Sequence, residues 1–455
     1  MKKKLFIIVL LSVIAICLCK GQTIDSINFT LPILYPVPNT ECHHLIAGDF
    51  FNNDGRDDII APTNYDAGIN DFQNRDYKQN NLGVLQTPVV STYVHDNWYG
   101  ITSVMSGQMD ENNLLDFGYT EGDSVHIKFQ NNFGSLNSQL GYYVGPFVQV
   151  GTFGDANNDG KNDIIASLYN QNIFVVLAGD GHGNFLSPVH YSANYSGSVY
   201  QDIEIGKINS SQNLVAKITS DDTISIFKIN VNWTLDSVMK FSLPIGSIAH
   251  SIVIGDNRLV ASYELNSFHY IDIWNDLNGT SADSSFIVPG DAGSVKIAHL
   301  NCSSRAQIIE LANNVVNIVS QNTIFQFPVP SAIVWDHDDI TTGDFNGDGK
   351  IDIATYDFYT GMYILLNTSS CSGTSVNVAD VEIQNIKVFP LLCSEILNVQ
   401  NVKVGDILTI TDITGIVEMR TVLQSKNNVV DISQLPAGNF IINVDDKKNF
   451  RIIKQ

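Results

Sequence analysis

The sequence has little charge, and basic residues are the scarcer kind. Only 16% of the 455 residues are charged, with 25 lysines and arginines against 47 aspartates and glutamates. The resulting formal net charge of -22 repels phosphate backbones and anionic lipid head groups. It therefore argues against nucleic-acid binding and charge-driven membrane attachment, and it favours cations as ligands. The apolar content of 44% is enough for a folded core, which argues against a disordered chain.

Familiar catalytic motifs are absent. The chain has no Gly-x-Ser-x-Gly elbow, no His-Glu-x-x-His pair and no phosphate-binding glycine loop. The ten histidines are scattered, and a glycosidase pair of carboxylates cannot be recognised among so many acidic turns. The sequence therefore leans against an enzyme without excluding one.

Cysteine is also scarce and unpaired in sequence. Cys17 and Cys19 lie in the N-terminal leader, and the other four, Cys42, Cys302, Cys371 and Cys393, are far apart. No CxxC spacing indicates a zinc site. Each thiol is interpreted as a small buried apolar group, while a disulfide with unassigned partners remains an alternative outside the cell.

The N-terminus has the features of an export signal. Lys2, Lys3 and Lys4 precede an apolar run from Leu5 to Leu18. A basic start before a short apolar run is typical of a secretory signal peptide, and the run is too short to span a bilayer. We therefore predict a signal peptide over residues 1–21 and a mature chain without a transmembrane segment. A lipid-modified Cys19 is disfavoured because Leu18, which precedes it, is not small.

Short strands and a repeated acidic motif dominate the rest of the chain. Segments such as Thr223–Ile229 alternate apolar and polar residues between turn residues, as short strands do. The motif at Gly343–Ile353 recurs at Gly154–Ile164, and at Gly48–Ile59 with one inserted residue. Divergent copies begin at Gly107, Gly206, Gly255 and Ala298. Seven repeats spaced for one four-stranded blade each predict an all-β, seven-bladed β-propeller over residues 22–371.

Three repeats place oxygen-bearing side chains at alternate positions before a glycine, which permits the chain to wrap around a hard cation. Ca2+ is preferred to Mg2+ because several protein oxygens are offered in a flexible loop. Two loops are intact, and a third is a weaker candidate because its insertion leaves Asp49 in doubt. Asx-turns that bind no metal are the alternative. The predicted ligands are Asp49, Asn52, Asp54, the Arg56 carbonyl and Asp58; Asp155, Asn157, Asp159, the Lys161 carbonyl and Asp163; and Asp344, Asn346, Asp348, the Lys350 carbonyl and Asp352.

These motifs resemble the FG-GAP/VCBS repeat family, whose calcium-bearing blades also occur in integrin alpha-chain propellers. The turn Gly179–Phe185 is similar to the second signature of that family. The resemblance covers about Asn39 to Asn367. It implies a seven-bladed propeller with calcium in its loops, in which the segment before Gly48 completes the last blade.

A small module follows a predicted linker over residues 372–384. Alternating strands over residues 385–455 predict a β-sandwich. The segments Lys387–Pro390, Leu397–Val399, Asp412–Gly415, Asp431–Phe440 and Arg451–Gln455 resemble the type A C-terminal sorting domain of the type IX secretion system of Bacteroidetes. One departure is Pro390-Leu-Leu, where that family has Pro-Asn-Pro. The resemblance implies the type IX secretion machinery as a partner and a secreted or cell-surface location outside the outer membrane.

Two functions follow as alternatives. The favoured one is a non-catalytic, calcium-binding module for adhesion to glycans or proteins. Its predicted contacts are stacking aromatic residues at Tyr65, Tyr119, Tyr169, Tyr356 and Tyr359, which could instead pack the blades, and channel-lining polar residues at His44, Ser103, Asp202, Ser251 and Asp339. The other is a secreted polysaccharide lyase or glycosidase with catalytic groups among Asp66, Asp71, Arg75, Asp76 and His95, in a predicted insertion from Tyr65 to Tyr99.

Overall fold

The computed structural model describes residues 27–369 and 387–454, with gaps at 37–39, 43, 67–72, 93–99, 111, 170–172, 193–201, 209–211, 220–222, 291–292, 302, 330–339, 358–359, 390–391, 394, 401, 413–416 and 445–447. These residues form strands and turns, and the chain divides into two compact units, Met1–Ser372 and Gly373–Gln455. No membrane-spanning helix occurs among the described residues.

The first unit contains seven antiparallel sheets, which we number as blades 1 to 7 in the order of their first strands. Blade 1 is formed by Thr40–Cys42, Ile46–Gly48, Asp58–Asp66, Gln73–Tyr77 and Val89–Thr92; blade 2 by Ile101–Gly107, Asp116–Glu121, Ser124–Gln130 and Leu136–Tyr143; blade 3 by Val148–Gly154, Asp163–Leu168, Ile173–Leu177 and Val189–Ser192; and blade 4 by Ile203–Gly206, Leu214–Thr219, Thr223–Ile229 and Leu235–Ser242. Blade 5 is formed by Ile248–Gly255, Arg258–Leu265, Phe268–Trp274 and Ser284–Val288; blade 6 by Val295–Ala298, Gln307–Ala312, Val315–Ser320 and Thr323–Pro328; and blade 7 by Ile340–Gly343, Asp352–Asp357, Gly361–Leu365 and Ile33–Pro36. The predicted all-β, seven-bladed propeller is confirmed.

The ring closes through the N-terminal strand Ile33–Pro36. This strand pairs antiparallel with Gly361–Leu365, with Ile33 opposite Ile364 and Pro36 opposite Gly361. The innermost strand of each blade, which in blade 1 is Ile46–Gly48, contacts the innermost strands of both neighbouring blades, including blade 7 against blade 1. The inner strands therefore line a central channel, and radial closure leaves only the outer strand of each sheet as an edge. The segment before Gly48 completes the last blade, as predicted.

The blades are held together by side chains on both faces of each sheet. Every residue of the second strand Asp116–Glu121 is buried, because the sheet has a neighbouring blade on each face. One core cluster joins Ile59 and Tyr77 of blade 1 to Met362 and Ile364 of blade 7. The core of the propeller is therefore a series of interfaces between blades.

The repeat boundaries predicted from the sequence fall at the ends of the first strands. A side chain is excluded at Gly107, where an added Cβ would lie 2.0 Å from the Phe153 ring of blade 3. At Gly206 the same atom would lie 2.5 Å from Ile254 of blade 5. Glycine is required at these two positions because the next blade packs directly against the backbone.

The second unit is a β-sandwich. One sheet contains Lys387–Phe389, Ile396–Gln400 and Asn427–Asp431, and the other contains Leu392–Cys393, Lys448–Lys454, Gly438–Val444, Ile407–Asp412 and Val417–Val422. Side chains of both sheets share one core, in which Leu397 and Val399 meet Leu408, Ile410 and Ile442. The predicted small sandwich is therefore present.

Candidate functional site

The loop between the first two strands of blade 3 brings three of its predicted ligands together. The Asp155 carboxylate accepts the N–H groups of Asp159 and Gly160, each at 3.0 Å. Asn157 Oδ1 also accepts the Asp159 N–H at 3.0 Å, and Asp159 Oδ1 accepts the Lys161 N–H at 2.9 Å. Gly160 has φ of +87°, the left-handed conformation that makes the reversal possible.

Blade 7 has the same arrangement. Asp344 accepts the N–H groups of Asp348 at 3.1 Å and Gly349 at 2.8 Å. Asn346 Oδ1 accepts the Asp348 N–H at 2.8 Å, and Asp348 Oδ1 accepts the Lys350 N–H at 2.9 Å. Two blades that are not neighbours thus fold the same acidic sequence into the same loop.

The blade 1 loop keeps this arrangement despite its inserted residue. Asp49 accepts the N–H groups of Asp54 at 3.3 Å and Gly55 at 2.7 Å. The insertion is absorbed where Asn52 and Asn53 adopt left-handed φ values of +71° and +47°, which asparagine tolerates well. Asp49 therefore occupies the position that Asp155 and Asp344 hold in their loops.

Arg56 makes the blade 1 loop chemically different. Its guanidinium forms an ion pair with Asp54 at 2.8 Å. In blade 7 the corresponding Lys350 ammonium stays 3.9 Å from Asp348. Because a close guanidinium competes with a metal ion for the same oxygens, the blade 1 loop is the weakest of the three candidates.

The last predicted ligand of each loop has a structural role. Asp163 is fully buried, and its two carboxylate oxygens accept the N–H groups of Ala156 at 3.0 Å and Gly179 at 2.9 Å. It therefore joins its own loop to the turn after the third strand, at the same end of the blade, and a metal would have to share its remaining lone pairs. Equivalent pairs of hydrogen bonds are made by Asp58 to Phe51 and Gln79, by Asp116 to Met109 and Gln130, and by Asp352 to Phe345 and Asn367.

Burial raises the pKa of Asp163 to about 6, against the lowering effect of its two backbone hydrogen bonds, and the charges of Asp159 and Asp155 raise it further. The same causes, with burial first, raise the pKa of Asp58 and Asp352 to about 7. The carboxylates of each loop thus lie close enough to repel one another, and a hard divalent cation would relieve that repulsion.

The donor set contains only oxygen, which fits Ca2+. However, across the described ranges no three His, Cys, Asp or Glu side chains already converge as a metal cage. Asp155, Asp159 and their equivalents would have to turn from backbone N–H groups toward an ion. These hydrogen bonds are typical of Asx-turns, the alternative that the sequence left open, and the calcium ligands stay a prediction.

Each candidate loop is also tied to the blade that follows it. The main-chain carbonyl of the first loop residue accepts a side-chain amide from that blade, so the shape of the loop depends on blade packing. The pairs are Gln79 Nε2 to the Asp344 oxygen at 2.6 Å, Gln130 Nε2 to the Asp49 oxygen at 2.6 Å, and Asn213 Nδ2 to the Asp155 oxygen at 2.7 Å. Sequence reasoning missed these amides because their partners lie in other repeats.

The predicted stacking aromatics mostly pack inside the molecule. Tyr119 is fully buried and stacks on His126, with ring centroids 4.9 Å apart, and Tyr356 is 3% exposed. Tyr169 is 39% exposed, whereas the side chains of Tyr65 and Tyr359 lie outside the described residues. The alternative of blade packing is thus correct for Tyr119 and Tyr356.

The prediction that Tyr65 to Tyr99 is an insertion is wrong in part. Its segment supplies the two outer strands of the blade, Gln73–Tyr77 and Val89–Thr92. Arg75 and Asp76 lie in the first of these strands and are 8% and 9% exposed. The side chains of Asp66, Asp71 and His95 lie outside the described residues, so the catalytic set as a whole stays a prediction.

The central channel has a polar cavity of about 140 Å³ lined by Ser103, Asp202 and Ser251, three of the predicted residues. Asp202 Oδ2 accepts the Ser251 hydroxyl at 3.1 Å and the Ile252 N–H at 2.8 Å. His44 is buried, with Nε2 3.2 Å from the Ile101 carbonyl oxygen. Asp339 lies outside the described residues.

No protein-family model matches the sequence, and no curated protein matches it. Solved structures do match. The BBS1N chain of a complex with ARL6DN is 9% identical, with a TM-score of 0.54 over 75% of this chain and 96% of the other. A chain of the COPII outer coat vertex on membranes is 11% identical, with a TM-score of 0.50 over 92% and 99%. The Cps50 (Swd1) beta-propeller domain of Myceliophteria thermophila is 13% identical, with a TM-score of 0.44 over 76% and 100%. At 9% and 11% identity, the two structures with TM-scores of 0.54 and 0.50 show similarity of fold alone, and the seven sheets make that fold a β-propeller.

Proposed function

We propose that the chain is a secreted or cell-surface calcium-binding propeller that serves as a non-catalytic adhesion module for glycans or proteins. The observation that carries the proposal is the identical folding of two acidic loops, at Asp155 and Asp344, in blades that are not neighbours. The FG-GAP/VCBS resemblance of the same loops supports it. Calcium would act there as a structural ion, since it would join carboxylates that otherwise repel one another.

An enzymatic alternative has less support. A lyase or glycosidase requires carboxylates or a base that substrate can reach. Arg75 and Asp76, which the sequence placed in a catalytic insertion, are buried strand residues. The propeller fold accommodates a binding function without any such group.

A glycan array followed by a turnover assay on every hit tests the binding function. We expect glycan binding without product, and weaker binding in EDTA because calcium holds the loops. Formation of product from a bound glycan would favour the enzyme. A negative glycan array combined with failure to bind cell-surface proteins would contradict the adhesion function.

We further propose that the second unit is a type A sorting domain that directs the protein through the type IX secretion system. The motifs from Lys387 to Gln455 support this, together with the two-sheet sandwich of that unit. Deletion of the residues after Ser372 is expected to leave the propeller in the periplasm. Protease accessibility on intact cells measures surface delivery. Normal surface delivery of the truncated chain would contradict the proposed sorting function.

A further inference from the structure

A second polar cavity lies between blades 5 and 6, away from the acidic loops of blades 1, 3 and 7. Its volume is about 250 Å³. Two arginines, Arg258 of blade 5 and Arg305 just before the second strand of blade 6, contribute to its wall. The rest of the polar lining includes Asn275, Ser284, Ser303 and Ser320. The cavity therefore combines guanidinium groups with hydroxyls and side-chain amides.

Arg258 occupies the position at which four other blades carry a buried aspartate. It pairs with Gly255, the last residue of the first strand, just as Asp163 pairs with Gly154. The charge at this position is thus reversed in blade 5. The Arg258 side chain is nearly buried and donates to the main-chain oxygen of Ala306. Its Nε has no hydrogen-bond partner within the described residues.

The two arginines of the cavity differ in their partners. Arg258 lies 3.4 Å from the Asp256 carboxylate. Arg305 is exposed and donates to Asn275 Oδ1 at 2.5 Å, and no described carboxylate pairs with it. Burial and then the nearby charge of Arg305 lower the pKa of Arg258, while Asp256 raises it. Arg305 thus has no carboxylate partner among the described residues, although Asp283 lies nearby, where its Oδ2 accepts the Asn275 N–H at 2.7 Å.

We propose that this cavity binds the carboxylate of a small hydroxylated acid, of which a hexuronate sugar is the best chemical match. A guanidinium offers a planar pair of N–H donors that fits a carboxylate bidentately, and such charge-assisted bonds are strong. The serine hydroxyls and Asn275 supply partners for the ring hydroxyls. This inference rests on the proposed function only in choosing a sugar as the carrier of the acid, since the cavity is independent of the calcium loops.

Isothermal titration of the full-length protein with D-glucuronate and with D-glucose, at low ionic strength, tests the cavity directly. We expect glucuronate to bind and glucose to give no measurable heat. Arg305→Gln should weaken glucuronate binding by about 10- to 100-fold, because it removes a charge-assisted pair from the site. Arg305 is exposed, so this variant is expected to fold. Arg420→Gln, the same change on an exposed strand of the second unit, is the matched control.

Two results would overturn the proposal: equal titrations with glucuronate and glucose, or glucuronate binding that Arg305→Gln leaves unchanged. Sulfate should compete with glucuronate, since both are oxyanions, and an absence of competition would also contradict it. A neutral glycan found on the array, combined with no glucuronate binding here, would reject this inference while leaving the adhesion function intact.

Discussion

At the residue scale, four buried aspartates hold the loops of their blades through hydrogen bonds. Asp58, Asp116, Asp163 and Asp352 each begin a second strand opposite the terminal glycine of the first. Each accepts two backbone N–H groups, one from the loop between the first two strands and one from a residue at or just beyond the end of the third strand. A buried donor that loses its acceptor costs about 1–3 kcal/mol, so this position joins the two loops at one end of the blade.

Asp116→Asn tests this role in a blade without a predicted metal loop. Asparagine keeps one acceptor oxygen and faces the second N–H, from Met109 or Gln130, with an NH2 group. We expect the free energy of unfolding to fall by about 1–3 kcal/mol, measured by denaturant titration. Asp236→Asn, on an exposed outer strand, is the control and should change stability by less than about 0.5 kcal/mol. Equal stability of the two variants would refute the role.

At the element scale, the closure of blade 7 depends on one short strand. Ile33–Pro36 supplies the outer strand of that sheet from the other end of the propeller sequence. Without it, the Gly361–Leu365 strand becomes an unpaired edge, and the ring loses the link between its first and last blades.

A chain lacking residues 22–36 should therefore melt several degrees lower than the intact mature chain and should self-associate through the exposed edge. Differential scanning calorimetry and light scattering measure the two effects. The substitution Leu31→Ser, at an 87% exposed position just before this strand, should have little effect. An unchanged melting temperature and a monodisperse truncated protein would mean that the strand is not needed for closure.

The sequence predicted the elements better than the contacts between them. The glycines that begin the repeats fall at the ends of the first strands, because local turn chemistry and blade packing both act there. The double hydrogen bonding of Asp163 was not predictable from spacing, since Gly179 belongs to a different hairpin. The amide of Gln130 was missed for the same reason, because its acceptor is in the preceding blade. The position of Arg258 could have been found from the sequence. It begins the second strand of its repeat, opposite the terminal glycine of the first strand, where other repeats carry an aspartate.

At the scale of the whole molecule, the proposed calcium ions would link the chemistry of single loops to the closed ring. The carbonyl oxygens of Asp155 and Asp344 are held by Asn213 and Gln79 of the next blades. An ion that orders either loop would therefore also reinforce a contact between blades. Since an ion bound only by the folded form stabilises it by mass action, a concentration of 100 times Kd contributes about 2.7 kcal/mol.

Thermal unfolding of the chelator-treated protein, with added Ca2+ and with EDTA, tests the central claim most directly. The account predicts a melting temperature several degrees higher in Ca2+, and a smaller difference in Asp159→Ala and in Asp348→Ala. Asp110→Ala, in the blade 2 loop that lacks the glycine, is the control and should leave the difference unchanged. Superimposable curves for the intact protein in Ca2+ and in EDTA would contradict the account.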